Sequence, residues 1–90
     1  MTREPVYSRQ AIEALDQLAA GTDAELYDAV CDAIDLICDY GDTAEARREQ
    51  LRTATGSPVW KVAVRTRHDD WVVLWWPDGA DAQVFFVGAL

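Results

Sequence analysis

Basic side chains are scarce in this 90-residue chain, which has a single histidine and, at Lys61, a single lysine. Its 16 acidic residues outnumber the eight lysines and arginines, and the formal net charge is −8. Phosphate backbones repel such a chain, so non-specific nucleic-acid binding is excluded unless the basic residues gather on one face.

Cysteines and long apolar runs are also scarce. Seven helical residues would separate Cys31 from Cys38 by about 10 Å along the axis, which is too far for a disulfide. No apolar run approaches the ~20 residues that span a bilayer, and the N-terminus lacks a signal-peptide pattern. No metal motif, phosphate-binding glycine loop or nucleotide fingerprint is present, so no cofactor is implied. We expect a cytoplasmic protein without a membrane segment.

All four tryptophans lie between residues 60 and 76. Alternating apolar residues predict strands at 60–65, 71–76 and 84–87. The middle segment is apolar on both faces, which is typical of a central strand. Polar residues 66–70 and the sequence Pro77-Asp78-Gly79 predict the two connecting turns.

The first 46 residues have helical spacing instead. Ser8 suits an N-cap and Gly21 a C-cap for the first helix. Thr22 and Glu25 have the spacing of a capping box for a second helix, which ends at Gly41.

The remaining segments complete the predicted fold. Residues 4–7 suit a short first strand, residues 43–56 fit either a helix or a loop leading into a strand near Leu51, and Gly56-Ser57-Pro58 predicts a break. The chain is therefore expected to be a single α+β domain over 1–90, with an N-terminal helical hairpin packed on a small antiparallel sheet.

Acidic residues recur along the second helix at steps of three and four, so they form one continuous ridge. We call this the acidic ridge: Glu25, Asp28, Asp32, Asp35, Asp39 and Asp42. It is a solvated face of an acid-rich chain, a docking surface for a basic partner, or a surface that mimics nucleic-acid phosphates.

Two cations share a face of the first aromatic strand. Lys61 and Arg65 could clamp a phosphate beside the sheet aromatics, or they could simply line an exposed sheet face. His68 lies in a polar turn and is more typical of a turn residue than of a general base.

The strand at 71–76 carries more apolar surface than two short helices can cover. Trp71 and Trp75 share one of its faces, and Trp76 lies on the other. Exposed apolar patches mark interaction sites, so Trp71 and Trp75 are candidate contact residues. A homodimer or a bound partner is expected.

Residues 60–65, 71–75 and 84–88, in that order, resemble the meander of the RelE/ParE superfamily of bacterial toxins. The resemblance implies a short strand, a helical hairpin and an antiparallel meander, with an antitoxin as partner. Ribosome-dependent ribonucleases of that family use lysines, arginines and a C-terminal tyrosine on the concave sheet face. Lys61 matches one basic position, whereas Ala63 and Val72 replace others and the sequence ends at Ala89-Leu90 without the tyrosine-bearing tail.

Cleavage of a phosphodiester requires several preorganised cations and a proton-transfer group. We therefore expect a toxin-like protein that acts by protein binding and lacks the standard mRNA cleavage. Two alternatives stay open. One is an atypical ribosome-dependent endoribonuclease that uses Lys61 and Arg65 on RNA, and the other is an acidic interaction or inhibitor protein that works through Asp28, Asp32, Asp35 and Asp39.

Overall fold

A computed structural model describes residues 2–52, 56 and 58–89. Within those ranges the chain forms two α-helices and five β-strands, which confirms the α+β class. In chain order the elements are β1 (Glu4–Tyr7), α1 (Arg9–Ala20), α2 (Ala24–Tyr40), β2 (Glu49–Arg52), β3 (Pro58–Arg65), β4 (Asp70–Asp78) and β5 (Asp81–Gly88). Neither helix combines the length and the apolarity that crossing a membrane requires.

The described strands form one sheet in the order β1-β5-β4-β3-β2. Strands β2 to β5 are an antiparallel meander, whereas β1 pairs with β5 in parallel. The prediction of a purely antiparallel sheet is therefore wrong at β1. The helices and the rest of the meander separate β1 from β5 in the sequence, so no tight hairpin fixes its direction.

The helix ends follow from side chains that satisfy free backbone groups. Ser8 caps α1 by accepting a hydrogen bond from the backbone N–H of Ala11, and Gly21 ends the helix, as predicted. The predicted capping box at Thr22 is wrong. Asp23 caps α2 instead, because its carboxylate accepts a 3.0 Å hydrogen bond from the N–H of Leu26.

In the segment at 43–56, residues 43–48 form turns and β2 follows, so the helical alternative is wrong for Glu49–Arg52. Its residues 53–55, and Ser57 of the predicted break, lie outside the described residues. β4 continues through Asp78, and the turn falls at Gly79, where φ is +59°, and Ala80, slightly later than predicted.

Both helices pack on one face of the sheet. Their apolar stripes meet the inward side chains of β3, β4 and β5 in the main core, where Trp75 is the largest fully buried side chain. β4 lies at the centre of the sheet and is buried on both faces, as predicted for a central strand. The opposite face of the sheet has a smaller cluster of buried residues, namely Val59, Val72 and Leu74.

Candidate functional site

A groove runs along the exposed edge of β3, between the end of β2 and helix α2. β2 pairs with β3 only as far as Glu49 opposite Lys61, whereas β4 pairs with β3 as far as Asp70 opposite Arg65. In the described part of the chain, residues 62–65 therefore have a strand neighbour on one side only. The groove has a volume of about 360 Å³, and its lining residues are Leu36, Glu45, Arg48, Glu49, Lys61, Val62, Ala63 and Arg65.

Lys61, the first candidate catalytic residue, lies in this groove as half of an ion pair. Its Nζ is 3.0 Å from Oε2 of Glu49. The two residues are directly opposite in the β2–β3 register, so strand pairing itself brings the charges together. A carboxylate therefore already neutralises the ammonium group that phosphoester chemistry would need.

Arg65, the second candidate catalytic residue, is also paired. Its Nε donates a 3.1 Å hydrogen bond to Oδ1 of Asp70, the residue opposite it on β4. Both side chains are about three-quarters exposed, so this ion pair contributes little to stability. Four strand residues separate Arg65 from Lys61 by about 13 Å, a distance at which the two backbone positions do not converge on one phosphate.

The groove also brings in a cation that the sequence patterns did not indicate, Arg48. Arg48, Lys61 and Arg65 supply three positive charges, and two lining glutamates and the Asp70 carboxylate balance them. A neutral site has no general attraction for a polyanion. The two arginines between Glu45 and Glu49 were the available signal, but they do not reveal which strand edge the segment meets.

The four acidic residues proposed for partner binding are exposed on α2: Asp28, Asp32, Asp35 and Asp39. Leu36, a half-buried residue of the same helix, lines the groove. Residues three and four apart are neighbours on a helix surface, so Asp32 and Asp39 flank Leu36. The acidic ridge therefore borders the groove at the edge of β3.

The last member of the acidic ridge is bound within the chain. Oδ1 of Asp42 lies 3.2 Å from the guanidinium of Arg3 and 2.9 Å from that of Arg47. Arg47 also stacks 5.6 Å from the ring centres of both Trp60 and Trp75. Asp42 therefore helps to hold the turn after α2 against the core, and its carboxylate is engaged by two cations.

The two tryptophans proposed as contact residues have different environments. Trp75 is 0% exposed and donates its indole N–H to the carbonyl oxygen of Ala46, so the prediction that it contacts a partner is wrong. Trp71 is half-buried and lines a second groove beside α1, together with Gln10 and Gly88. Trp71 therefore keeps an accessible surface, but it does not line the groove that contains Lys61.

The sheet face opposite the helices is less open than the sequence suggests. Val72 and Leu74 are buried there because Trp76 and Phe86 pack against them. A β-bulge leaves Phe85 as an extra residue opposite the step from Leu74 to Trp75, and its ring lies 5.7 Å from that of Trp76. The chain therefore covers much of its own apolar surface. The homodimer was expected because of exposed apolar surface on this strand, and it stays a prediction that this surface no longer supports.

Nucleophiles and metal ligands do not converge elsewhere in the described ranges. His68 is exposed in the turn after β3. Burial raises the pKa of the Cys38 thiol, which favours its protonated form. Among residues 2–52, 56 and 58–89, no group of three histidine, cysteine, aspartate or glutamate side chains is placed to hold a metal ion.

No protein-family model, no curated protein and no solved structure matches this chain. The RelE/ParE resemblance therefore stays a prediction from the sequence pattern.

Proposed function

We propose that this protein acts by binding another protein, as a toxin-like component of a bacterial toxin–antitoxin system, and that it does not cleave mRNA. The observation that carries the second half is the pairing of Lys61 with Glu49, to which the more exposed and weaker pair of Arg65 with Asp70 adds little. Lys61 is bound to Glu49 and Arg65 to Asp70, each by its direct neighbour on the adjacent strand.

Chemistry explains why this pairing matters. In RNA cleavage by an attacking 2′-oxygen, negative charge accumulates on the phosphoryl oxygens, and preorganised cations must stabilise it. A cation that already binds a carboxylate must first lose that partner, which reduces the stabilisation it can offer. As for proton transfer, His68 lies in the turn beyond β3 and does not line the groove, and of the two glutamates that do, Glu49 is already bound to Lys61.

The arrangement of elements supports the toxin-like part of the proposal. A short first strand, two consecutive helices and an antiparallel meander follow one another along the chain. This is the order that the RelE/ParE resemblance implies. Fold similarity does not establish activity, so the binding function is inferred from the groove and not from the fold.

Mapping the 5′ ends of transcripts after induced expression tests the proposal. We expect growth arrest without new transcript ends, and the same result for Lys61→Ala. Co-expression of a partner protein recovered with the chain should relieve the arrest. Normal growth at high expression would count against the toxin-like function.

One observation favours an atypical ribonuclease as the second candidate function. Arg48 joins Lys61 and Arg65 in a single groove, so three cations line it. If this function is correct, site-specific cuts appear on induction and disappear in Lys61→Ala. The matched control is Arg67→Ala, because Arg67 is exposed in the turn after β3 and does not line the groove.

A further inference from the structure

The exposed edge of β3 is a ready template for an additional strand. Residues 62–65 pair with β4 on one side and have no described neighbour on the other. In an antiparallel sheet, alternate residues direct both backbone polar groups to the same side. About two of these four residues therefore offer an N–H and a C=O to an incoming chain, which is how extended peptides add to sheets.

The segment just before β2 does not continue along this edge, because it is anchored in the core. The carbonyl oxygen of Ala46 accepts the indole N–H of Trp75 at 3.1 Å, and Ala46 is 0% exposed. The adjacent Arg47 donates a 2.7 Å hydrogen bond to the carbonyl oxygen of Gly41. These contacts draw the chain towards α2 and away from β3 immediately before Glu49.

On the opposite side of the sheet, side chains bond the backbone groups that strand pairing leaves free. β1 pairs with only the first part of β5, up to Val84. Beyond that point the Ser8 hydroxyl donates to the carbonyl oxygen of Phe85 at 2.6 Å. The Gln10 amide donates to the carbonyl of Val87 at 2.7 Å and accepts from its N–H at 2.9 Å. Side chains thus occupy the part of β5 that β1 leaves unpaired, while the β3 edge lies open beside a groove.

The charges around the groove select the occupant. On the α2 side, Asp32 and Asp39 flank the apolar side chain of Leu36, and both are exposed. On the sheet side, Lys61 and Arg65 are already neutralised by acidic partners, and Glu45 offsets the charge of Arg48. The unbalanced charge beside the groove is therefore negative, as is the chain as a whole at −8. A basic segment is attracted here and an acidic one is repelled.

We propose that a partner protein binds here through an extended basic segment, which adds to the sheet as a strand along residues 62–65. Lysine or arginine at alternate positions would place long apolar stems over Leu36 and their charges near Asp32 and Asp39. The intervening side chains would pack beside Ala63, whose small exposed side chain leaves room for them. This inference rests on the proposed protein-binding function and names the chemistry of the partner.

A defined probe tests the inference: a ten-residue peptide that alternates lysine with valine, added to isotopically labelled protein and followed by NMR. We expect saturable shifts and slowed amide exchange at residues 62–65. The same peptide with glutamate in place of lysine should not bind. Binding of both peptides, shifts confined to the Trp71 groove, or no binding at millimolar peptide would overturn the inference.

Charge-removal variants provide the matched comparison. We expect Asp32→Asn with Asp39→Asn to weaken peptide binding roughly fivefold, which corresponds to losing two exposed ion pairs. The control, Glu13→Gln with Asp16→Asn, removes equal charge from α1 and should leave binding unchanged. Equal weakening by both pairs would overturn the role of the ridge. Recovery of a native partner whose cross-links fall beside Trp71 would reject this inference while leaving the protein-binding function intact.

Discussion

The indole Nε1 of Trp75 donates a hydrogen bond to the carbonyl oxygen of Ala46, and neither residue is exposed to solvent. This bond joins the central strand of the sheet to the turn that follows α2. It holds that turn in the core, so β2 begins its pairing with β3 only at Glu49. The open sheet edge and the groove beside it follow from this anchor.

Trp75→Phe should remove the anchor while keeping an aromatic ring in the core. The Ala46 carbonyl would lose its partner in a buried site, and the smaller ring would leave a cavity. We expect a loss of about 2–4 kcal/mol in the free energy of unfolding, measured in denaturant. Trp71→Phe is the control, because Trp71 is only half-buried, and it should cost about 1 kcal/mol. Equal losses would contradict the anchoring role.

Arg47→Ala should destabilise the fold far more than Arg48→Ala. Arg47 binds the Gly41 carbonyl and the Asp42 carboxylate and stacks on two tryptophan rings. Its loss should cost about 2 kcal/mol, whereas Arg48 is exposed and its replacement should change stability by less than about 0.5 kcal/mol. Thermal unfolding of both variants measures the difference, and a reversed order would show that the turn is held in another way.

Gly41→Ala tests how closely the chain packs at the end of α2. A Cβ at Gly41 would approach Arg3 Nη1 to 2.9 Å and a ring carbon of Trp75 to 3.1 Å. Gly41 has ordinary helical angles, so the whole cost would be steric. We expect a loss of about 1–3 kcal/mol. The control is Gly21→Ala at the end of α1, where an added Cβ would meet fewer close contacts, so it should cost less. If Gly41→Ala does not lower the stability, the turn is loosely packed.

Alkylation should distinguish the two cysteines. Burial raises the pKa of Cys38, so its reactive thiolate is scarce near neutral pH, and the side chain is also shielded. Cys31 is half-buried on the same helix. Mass spectrometry after brief iodoacetamide treatment at pH 8 should find Cys31 modified first, and both should react alike in denaturant. Faster modification of Cys38 in the folded protein would contradict its buried placement.

Local patterns predicted the helices well. Ser8 and Gly21 bound the first helix, and the inward residues of the second, such as Val30 and Ile37, are fully buried because their spacing matches the helical repeat. The prediction of a capping box at Thr22 failed because Asp23 is one residue closer to the helix and its side-chain oxygen also accepts a hydrogen bond from a backbone N–H. Neighbouring capping candidates of similar strength are not separated by spacing alone.

The candidate site depends on the pairing of strands that are distant in the sequence, and local sequence patterns carry no information about that pairing. Lys61 was identified as a cation, but its partner Glu49 came from a segment that fitted either a helix or a strand. Only the register of β2 on β3 brings the two together. The pairing of Arg65 with Asp70 was easier to predict from the sequence, because the two residues flank a short hairpin turn. The local pattern predicts an accessible Trp75, because nothing in it shows that the turn at Ala46 packs over this residue.

Residue-resolved amide hydrogen exchange along β3 tests the central claim, that this sheet edge is open because Ala46 is held by Trp75. In the free protein, we expect about two of the four amides at 62–65 to exchange rapidly, as alternate groups of an unpaired edge must. Val73 and Trp75 on β4 should be strongly protected. Protection of all four edge amides to the level of Val73 would contradict the account, because another segment would then be paired with β3.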